Sequence, residues 1–133
     1  MFGKRDARKP LAKIDTLIGV GTIIEGDIRF SGGLRIDGTV KGNVEAADGA
    51  AASTLILSEQ ARIEGNVAVA YLVNNGTVVG QVSVAECLEM QSRAKIVGDV
   101  EYLLIEMHQG AVVEGRLVHG ANKLVELKLA ASN

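Results

Sequence analysis

Aromatic side chains are scarce in this 133-residue chain: Phe2, Phe30, Tyr71 and Tyr102 are all it has, and tryptophan is absent. A bulky aromatic core is therefore excluded, and the apolar mass must be built from Val, Ile, Leu and Ala. Cysteine occurs once, at Cys87, so neither an intramolecular disulfide nor a cysteine-rich metal site can form within one chain. Cys87 lies close to Glu86 and Glu89, which disfavour a thiolate, and it reads as inert. Proline also occurs once, at Pro10. No apolar run approaches the roughly 18 residues that a membrane-spanning helix needs. The opening MFGKRDARKP lacks the apolar stretch of a secretory signal, so a cytoplasmic location is expected. With a formal net charge of −2, no bulk field favours nucleic acid.

Apolar residues nevertheless make up 47% of the chain, alongside sixteen glycines. The charge is unevenly placed. Residues 1–10 carry Lys4, Arg5, Arg8 and Lys9 against Asp6, while the other 123 residues carry ten basic and fifteen acidic side chains. Pro10 thus divides a basic tail from a mildly acidic body whose length suits one domain.

The body repeats one phrase, apolar–any–Gly–any–apolar: TIIEGDI at 22–28, ARIEGNV at 61–67, AKIVGDV at 94–100 and AVVEGRL at 111–117. With Gly26, Gly42, Gly65, Gly80, Gly98 and Gly115 as landmarks, the steps are 16, 23, 15, 18 and 17 residues. The long step contains EAADGAAAST at 45–54, which reads as an inserted loop; without it the period is near 17. A fixed period along a chain signals stacked repeats.

Apolar positions keep their parity within each unit. Ile24, Val40, Ile63, Val78, Ile96 and Val113 stand two before the glycine; Ile28, Val44, Val67, Val82, Val100 and Leu117 stand two after. Phe30, Ala46, Val69, Val84, Tyr102 and His119 stand four after. In three units Leu55, Leu88 and Ile105 stand ten before, followed by Leu57, Met90 and Met107. Even offsets put these side chains on one face of extended chain. A unit of this length is too short for strands plus a helix and suits one lap of a three-sided coil. About six laps, each roughly 4.8 Å from the next, give a β-solenoid roughly 29 Å long. The recurrent glycine marks a bend or a close backbone approach.

No catalytic constellation emerges. Gly21 and Gly26 have the separation of a phosphate loop, but Asp27 and Ile28 follow where Lys and Ser/Thr are required. His108 and His119 are one imidazole short of the three-histidine site of a solenoid carbonic anhydrase, so no metal is expected. His119 reads as a ladder residue and His108 as a solvated corner residue. The drifting step departs from the strict six-residue repeat of solenoid acyltransferases. Acidic residues at odd offsets, such as Asp27, Asp99, Glu25, Glu64 and Glu114, read as solvated exterior charge rather than as the groove of a carbohydrate-cleaving enzyme. The tail has two readings: a solubilising segment, or a membrane-binding one in which Met1 and Phe2 insert while Lys4, Arg5, Arg8 and Lys9 meet anionic headgroups.

The recurrent phrase, LRIDGTVKGNV at 34–44 and ARIEGNV together resemble the bactofilins, bacterial cytoskeletal proteins, over roughly residues 14–129. MFGK at the N-terminus is similar to the short membrane-targeting peptide of many members. The resemblance implies an all-β, right-handed parallel β-helix and no cofactor. It also implies end-to-end assembly into non-polar, nucleotide-independent filaments that position cell-wall or morphogenesis proteins. The expected organisation is a disordered tail over 1–13, a β-helix over 14–129 and a short tail over 130–133. Unpaired edges at both ends of a solenoid place the expected polymer contacts at Leu17, Ile18, Val20 and Ile24, and at Val125, Leu127 and Leu129. Many relatives carry a phenylalanine at the C-terminal contact; here the segment reads KLVELKLAASN, so that contact would be aliphatic. An enzyme on a solenoid and a non-polymerising accessory module are the competing readings.

The inward assignment is testable. Ile63→Asp, Ile96→Asp or Val100→Asp should unfold or aggregate the protein, because each puts an unpaired carboxylate into an apolar column. Asn66→Asp should be mild. Circular dichroism and thermal unfolding check this, and equal tolerance at both sets would sink the assignment.

Overall fold

The computed structural model describes residues 13–47 and 52–120, which form sixteen short strands. They follow one another around three faces. The first lap is β1 (Thr16–Ile18), β2 (Ile23–Glu25) and β3 (Ile28–Phe30); the second is β4 (Gly33–Ile36), β5 (Thr39–Lys41) and β6 (Val44–Ala46). The third lap is β7 (Thr54–Leu57), β8 (Arg62–Glu64) and the first half of β9 (Val67–Asn74). The fourth lap is the rest of β9, then β10 (Thr77–Val79) and the first half of β11 (Val82–Met90). The fifth is the rest of β11, β12 (Lys95–Val97) and β13 (Val100–Tyr102); the sixth is β14 (Leu104–Met107), β15 (Val112–Glu114) and β16 (Leu117–His119). Every pairing is parallel and joins one lap to the next. One face is the uninterrupted stack β2–β5–β8–β10–β12–β15. The chain is thus the expected parallel β-solenoid of about six laps.

The inward columns follow parity. Val40, Ile63, Val78 and Ile96 are fully buried, as are Val44, Val67, Val82 and Val100 on the next face. Ile24 and Val113 occupy the same column at its two ends and are only half-buried; among the described residues each has a neighbouring lap on one side only. The third column differs from expectation. Thr16, Leu34, Leu55, Leu72, Leu88 and Ile105 are in register, and so are Ile18, Ile36, Leu57, Asn74, Met90 and Met107. The corner after this face has four residues in most laps, such as 58–61, but two in the second and fourth, 37–38 and 75–76. A difference of two shifts the offset from the glycine while preserving inward parity. A count of ten back from the glycine therefore finds the column in four laps, at Thr16, Leu55, Leu88 and Ile105, and misses it in the second and fourth.

Asn74 is the polar member of that column and is fully buried. Its Oδ1 accepts the Gly76 N–H at 2.8 Å, closing the tight corner, and its Nδ2 donates to Met90 Sδ at 3.6 Å. Among the described residues no buried side-chain polar atom lacks a partner. The insertion is shorter than expected: Glu45, Ala46 and Thr54 belong to strands, leaving 47–53. Ser53 is buried at its end, and its Oγ accepts the Ala70 N–H at 3.1 Å.

The landmark glycines make one column at a corner. A Cβ on Gly42, Gly65, Gly80, Gly98 or Gly115 would overlap the carbonyl oxygen of the glycine one lap earlier. In the same corner Gly98 N–H bonds Glu114 O at 2.9 Å and Gly80 N–H bonds Val97 O at 2.9 Å, so the laps cannot separate to make room. Close approach, with φ at +150° in Gly98, is why glycine recurs.

Gly98→Ala should therefore destabilise the protein by well over about 1 kcal/mol. Gly19→Ala, with nothing within 4 Å of the added methyl, should stay within about 0.5 kcal/mol. Denaturant midpoints of the two variants decide the matter, and comparable values would remove the close-approach explanation.

Candidate assembly ends and outer faces

Exposed large apolar side chains concentrate at the two ends of the coil. Ile14, Leu17, Val20 and Ile23 are exposed at the first lap, and Met107, Val112, Leu117 and Val118 at the sixth. Between them only Val79 is exposed among the described large apolar residues. The outward column three before the glycine makes the contrast sharp. It reads Ile23, Thr39, Arg62, Thr77, Lys95, Val112: polar in the four middle laps and apolar in the two terminal ones. Outward positions on a solvated face are ordinarily polar, so apolar ones confined to the ends describe surface suited to being covered. In the described residues β1, β2 and β3 are paired on one side only, as are β14, β15 and β16.

Of the expected contact residues, Leu17 and Val20 are 59% and 65% exposed. Ile18 is buried, because its strand position points into the column above Ile36, and Ile24 is half-buried for the same reason. These two belong to the open end of the core rather than to its rim. Val125, Leu127 and Leu129 lie outside the described residues, as do Met1, Phe2, Lys4, Arg5, Arg8 and Lys9. Ile23, Val112 and Val118 escaped the sequence reading. Their signal was present, an apolar residue at an odd offset, but it becomes meaningful only against the polar members of the same column.

The outer corners are solvated and also hydrogen-bonded from lap to lap. After four of the six landmark glycines the next residue bonds the following lap: Asp27 Oδ1 accepts Asn43 N–H at 2.9 Å, Asn43 Oδ1 accepts Asn66 N–H at 2.9 Å, and Asn66 Oδ1 accepts Gln81 N–H at 3.0 Å. Asp99 Oδ1 accepts Arg116 N–H at 3.0 Å while its Oδ2 takes the Arg116 guanidinium at 2.9 Å. The Arg116 side-chain hydrogen bond, then the backbone N–H, hold the Asp99 carboxyl below the usual carboxylate range. The Arg62 side chain at 2.8 Å does the same to Glu64.

These shifts bear on the enzymatic readings. A shallow concavity of about 390 Å³ lies on the face of β6, β9, β11, β13 and β16, with Glu45, Asp99 and Glu101 at its wall. A glycosidase acid must keep its proton near neutral pH, and Asp99 is shifted the opposite way. Cys87 is 3% exposed, in keeping with an inert thiol. The segment from Gly19 to Gly26 leads into strand β3, so no helix N-terminus is offered to a phosphate. Burial, more than the neighbouring Glu86, raises the Tyr71 hydroxyl. His119 packs edge-on against Tyr102 with centroids 5.6 Å apart, as a ladder residue should. His108 differs from a freely solvated imidazole: its Nε2 lies 3.4 Å from Glu89 and 3.2 Å from Glu106.

A sequence profile of the bactofilins, described as polymer-forming cytoskeletal, matches residues 16–118. The chain is 27% identical over 106 residues to bactofilin BacP of Myxococcus xanthus strain DK1622, covering 80% of this chain and 42% of BacP. It is 24% identical over 110 residues to bactofilin BacO of the same strain, covering 83% of each. The chain thus spans less than half the length of one of these relatives and most of the other. No solved structure matches.

The corner pair predicts a pH response. A carboxyl lowered on folding stabilises the fold above its ordinary pKa, and this contribution is lost as pH falls through the lowered value. Arg116→Ala should return the Asp99 titration toward the ordinary carboxylate range, read by NMR. An unchanged Asp99 titration would show that Arg116 does not set it.

Proposed function

The chain belongs to the bactofilin family of polymer-forming cytoskeletal proteins, and we propose that it assembles end to end, without nucleotide, into non-polar filaments held at the inner face of the bacterial cytoplasmic membrane. The observation that supports this reading is the pairing of open strand edges with apolar outward residues at both terminal laps. A second subunit continues the inward columns and supplies the missing hydrogen-bond partners. Like-to-like contacts, each end meeting its own copy about a two-fold axis, give a filament without polarity. The strand that follows Gly26, where a nucleotide site would need a helix, supports assembly without nucleotide.

The basic tail supplies the membrane contact. Met1 and Phe2 contribute about 1.5–3 kcal/mol each if fully inserted. Lys4, Arg5, Arg8 and Lys9 add roughly 1 kcal/mol each on an anionic surface. Ordering costs leave one tail a weak anchor, and many tails along a filament bind with far greater avidity. The solvated outer faces then present a regular array on which cell-wall or morphogenesis proteins are positioned.

Charge at the first lap tests the reading. Leu17→Lys combined with Val20→Lys changes two exposed side chains and should leave the circular dichroism spectrum intact. Placed twice across a two-fold contact, the charges should abolish filaments in electron microscopy and leave species no longer than dimers. The same variant, its tail intact, should sediment poorly with anionic vesicles. Normal filaments would exclude this end as the contact, and strong vesicle binding by the unpolymerised variant would refute the avidity mechanism.

A further inference from the structure

Four polar side chains form a two-by-two array on the outer surface of the last two laps. Glu89 and Glu106 are opposite one another across the parallel β11–β14 pair. Gln91 and His108 stand two residues further along each chain, and therefore point the same way. The His108 N–H bonds Met90 O at 2.8 Å, which holds the second row in register. His108 Nε2 then lies 3.4 Å from Glu89 Oε2 and 3.2 Å from Glu106 Oε2. Gln91 Nε2 donates to Glu89 Oε2 at 3.1 Å. The Glu89 side chain is only 14% exposed, whereas those of Glu106 and His108 are each 44% exposed.

We propose that Glu89, Glu106 and His108 bind a divalent transition-metal ion, with zinc the best fit. The donor atoms of all three lie within 4.8 Å of one another. Ligands held about 2.0–2.2 Å from a tetrahedral zinc stand roughly 3.3–3.6 Å apart, and the imidazole–carboxylate separations of 3.2 and 3.4 Å already fall close to that edge length. Two carboxylates balance the charge of a dication. The imidazole selects against magnesium and calcium, which prefer all-oxygen shells. Gln91 orients Glu89 from outside the coordination sphere, and water completes the fourth position. Ligands drawn from β11 and from the end of β14 would tie the fifth lap to the sixth across the outer face, beside the C-terminal end of the described coil.

Zinc titrated into the untagged full chain, followed by calorimetry, tests this together with cobalt(II) absorption. The wild type should take up one equivalent and show the intense visible bands of tetrahedral cobalt. His108→Asn and Glu106→Gln alter exposed side chains and should keep the circular dichroism spectrum. Each should weaken binding about tenfold or more and bleach those bands. His119→Asn should bind as the wild type does, and magnesium should give no heat. Zinc should raise the unfolding temperature of the wild type and not of His108→Asn. No uptake by the wild type, or equal uptake by His108→Asn, would overturn the assignment and leave the cluster an ion pair.

Discussion

The spacing between consecutive laps is set where backbone meets backbone at the glycine corner. There the carbonyl oxygen of one lap fills the place that a Cβ of the next would need, and a backbone hydrogen bond closes the same gap. Once the laps are locked at that distance, equal positions fall above one another around the whole coil. The apolar columns, the asparagine and aspartate corners and the open ends all follow from this registry. The registry tolerates insertions that preserve parity, which is why corners of two and four residues coexist, and why residues 47–53 can intervene between strands.

Energetically the interior dominates. A fully buried Leu, Ile or Val contributes about 1.5–3 kcal/mol, and the columns contain many, from Leu34 and Ile36 to Leu88 and Ile96. Surface ion pairs such as Arg62–Glu64 and Arg35–Asp37 add little beside this, because solvent screens them. The outer corner residues serve a different purpose. Asp27, Asn43, Asn66 and Asp99 satisfy backbone N–H groups where the chain turns and the strand ladder is interrupted. One lap thus supplies side-chain acceptors to the next, and the polar corners reinforce the same stacking that the core demands.

A solenoid with regular laps cannot close on itself, so its unpaired strand edges gather at its ends. The middle laps present Thr39, Arg62, Thr77 and Lys95 to water, whereas Ile23 and Val112 occupy the same column at the terminal laps. Polymer formation describes the family, and the proposed end-to-end assembly assigns it to the strand edges that lack a partner among the described residues. The cluster of Glu89, Glu106 and His108 sits beside one of these ends, bridging the laps nearest to it.

Periodicity alone determined the architecture. Even-offset Val, Ile and Leu beside a recurring glycine admit few structures other than stacked laps, because side chains alternate along extended backbone and parity survives every insertion of two. The membership of the third column was hidden, since Leu34, Ile36, Leu72 and Asn74 stand at shifted offsets that depend on corner length. The hydrogen bonds of the solvated Asp27 and Asp99 were hidden for a related reason: their partners lie sixteen and seventeen residues away, at distances that exist only after the laps stack. The grouping of His108 with Glu89 and Glu106 is likewise a product of lap registry. Local pattern is written in consecutive residues and can be read there. What one lap offers the next depends on corner geometry, and only the stacked chain decides it.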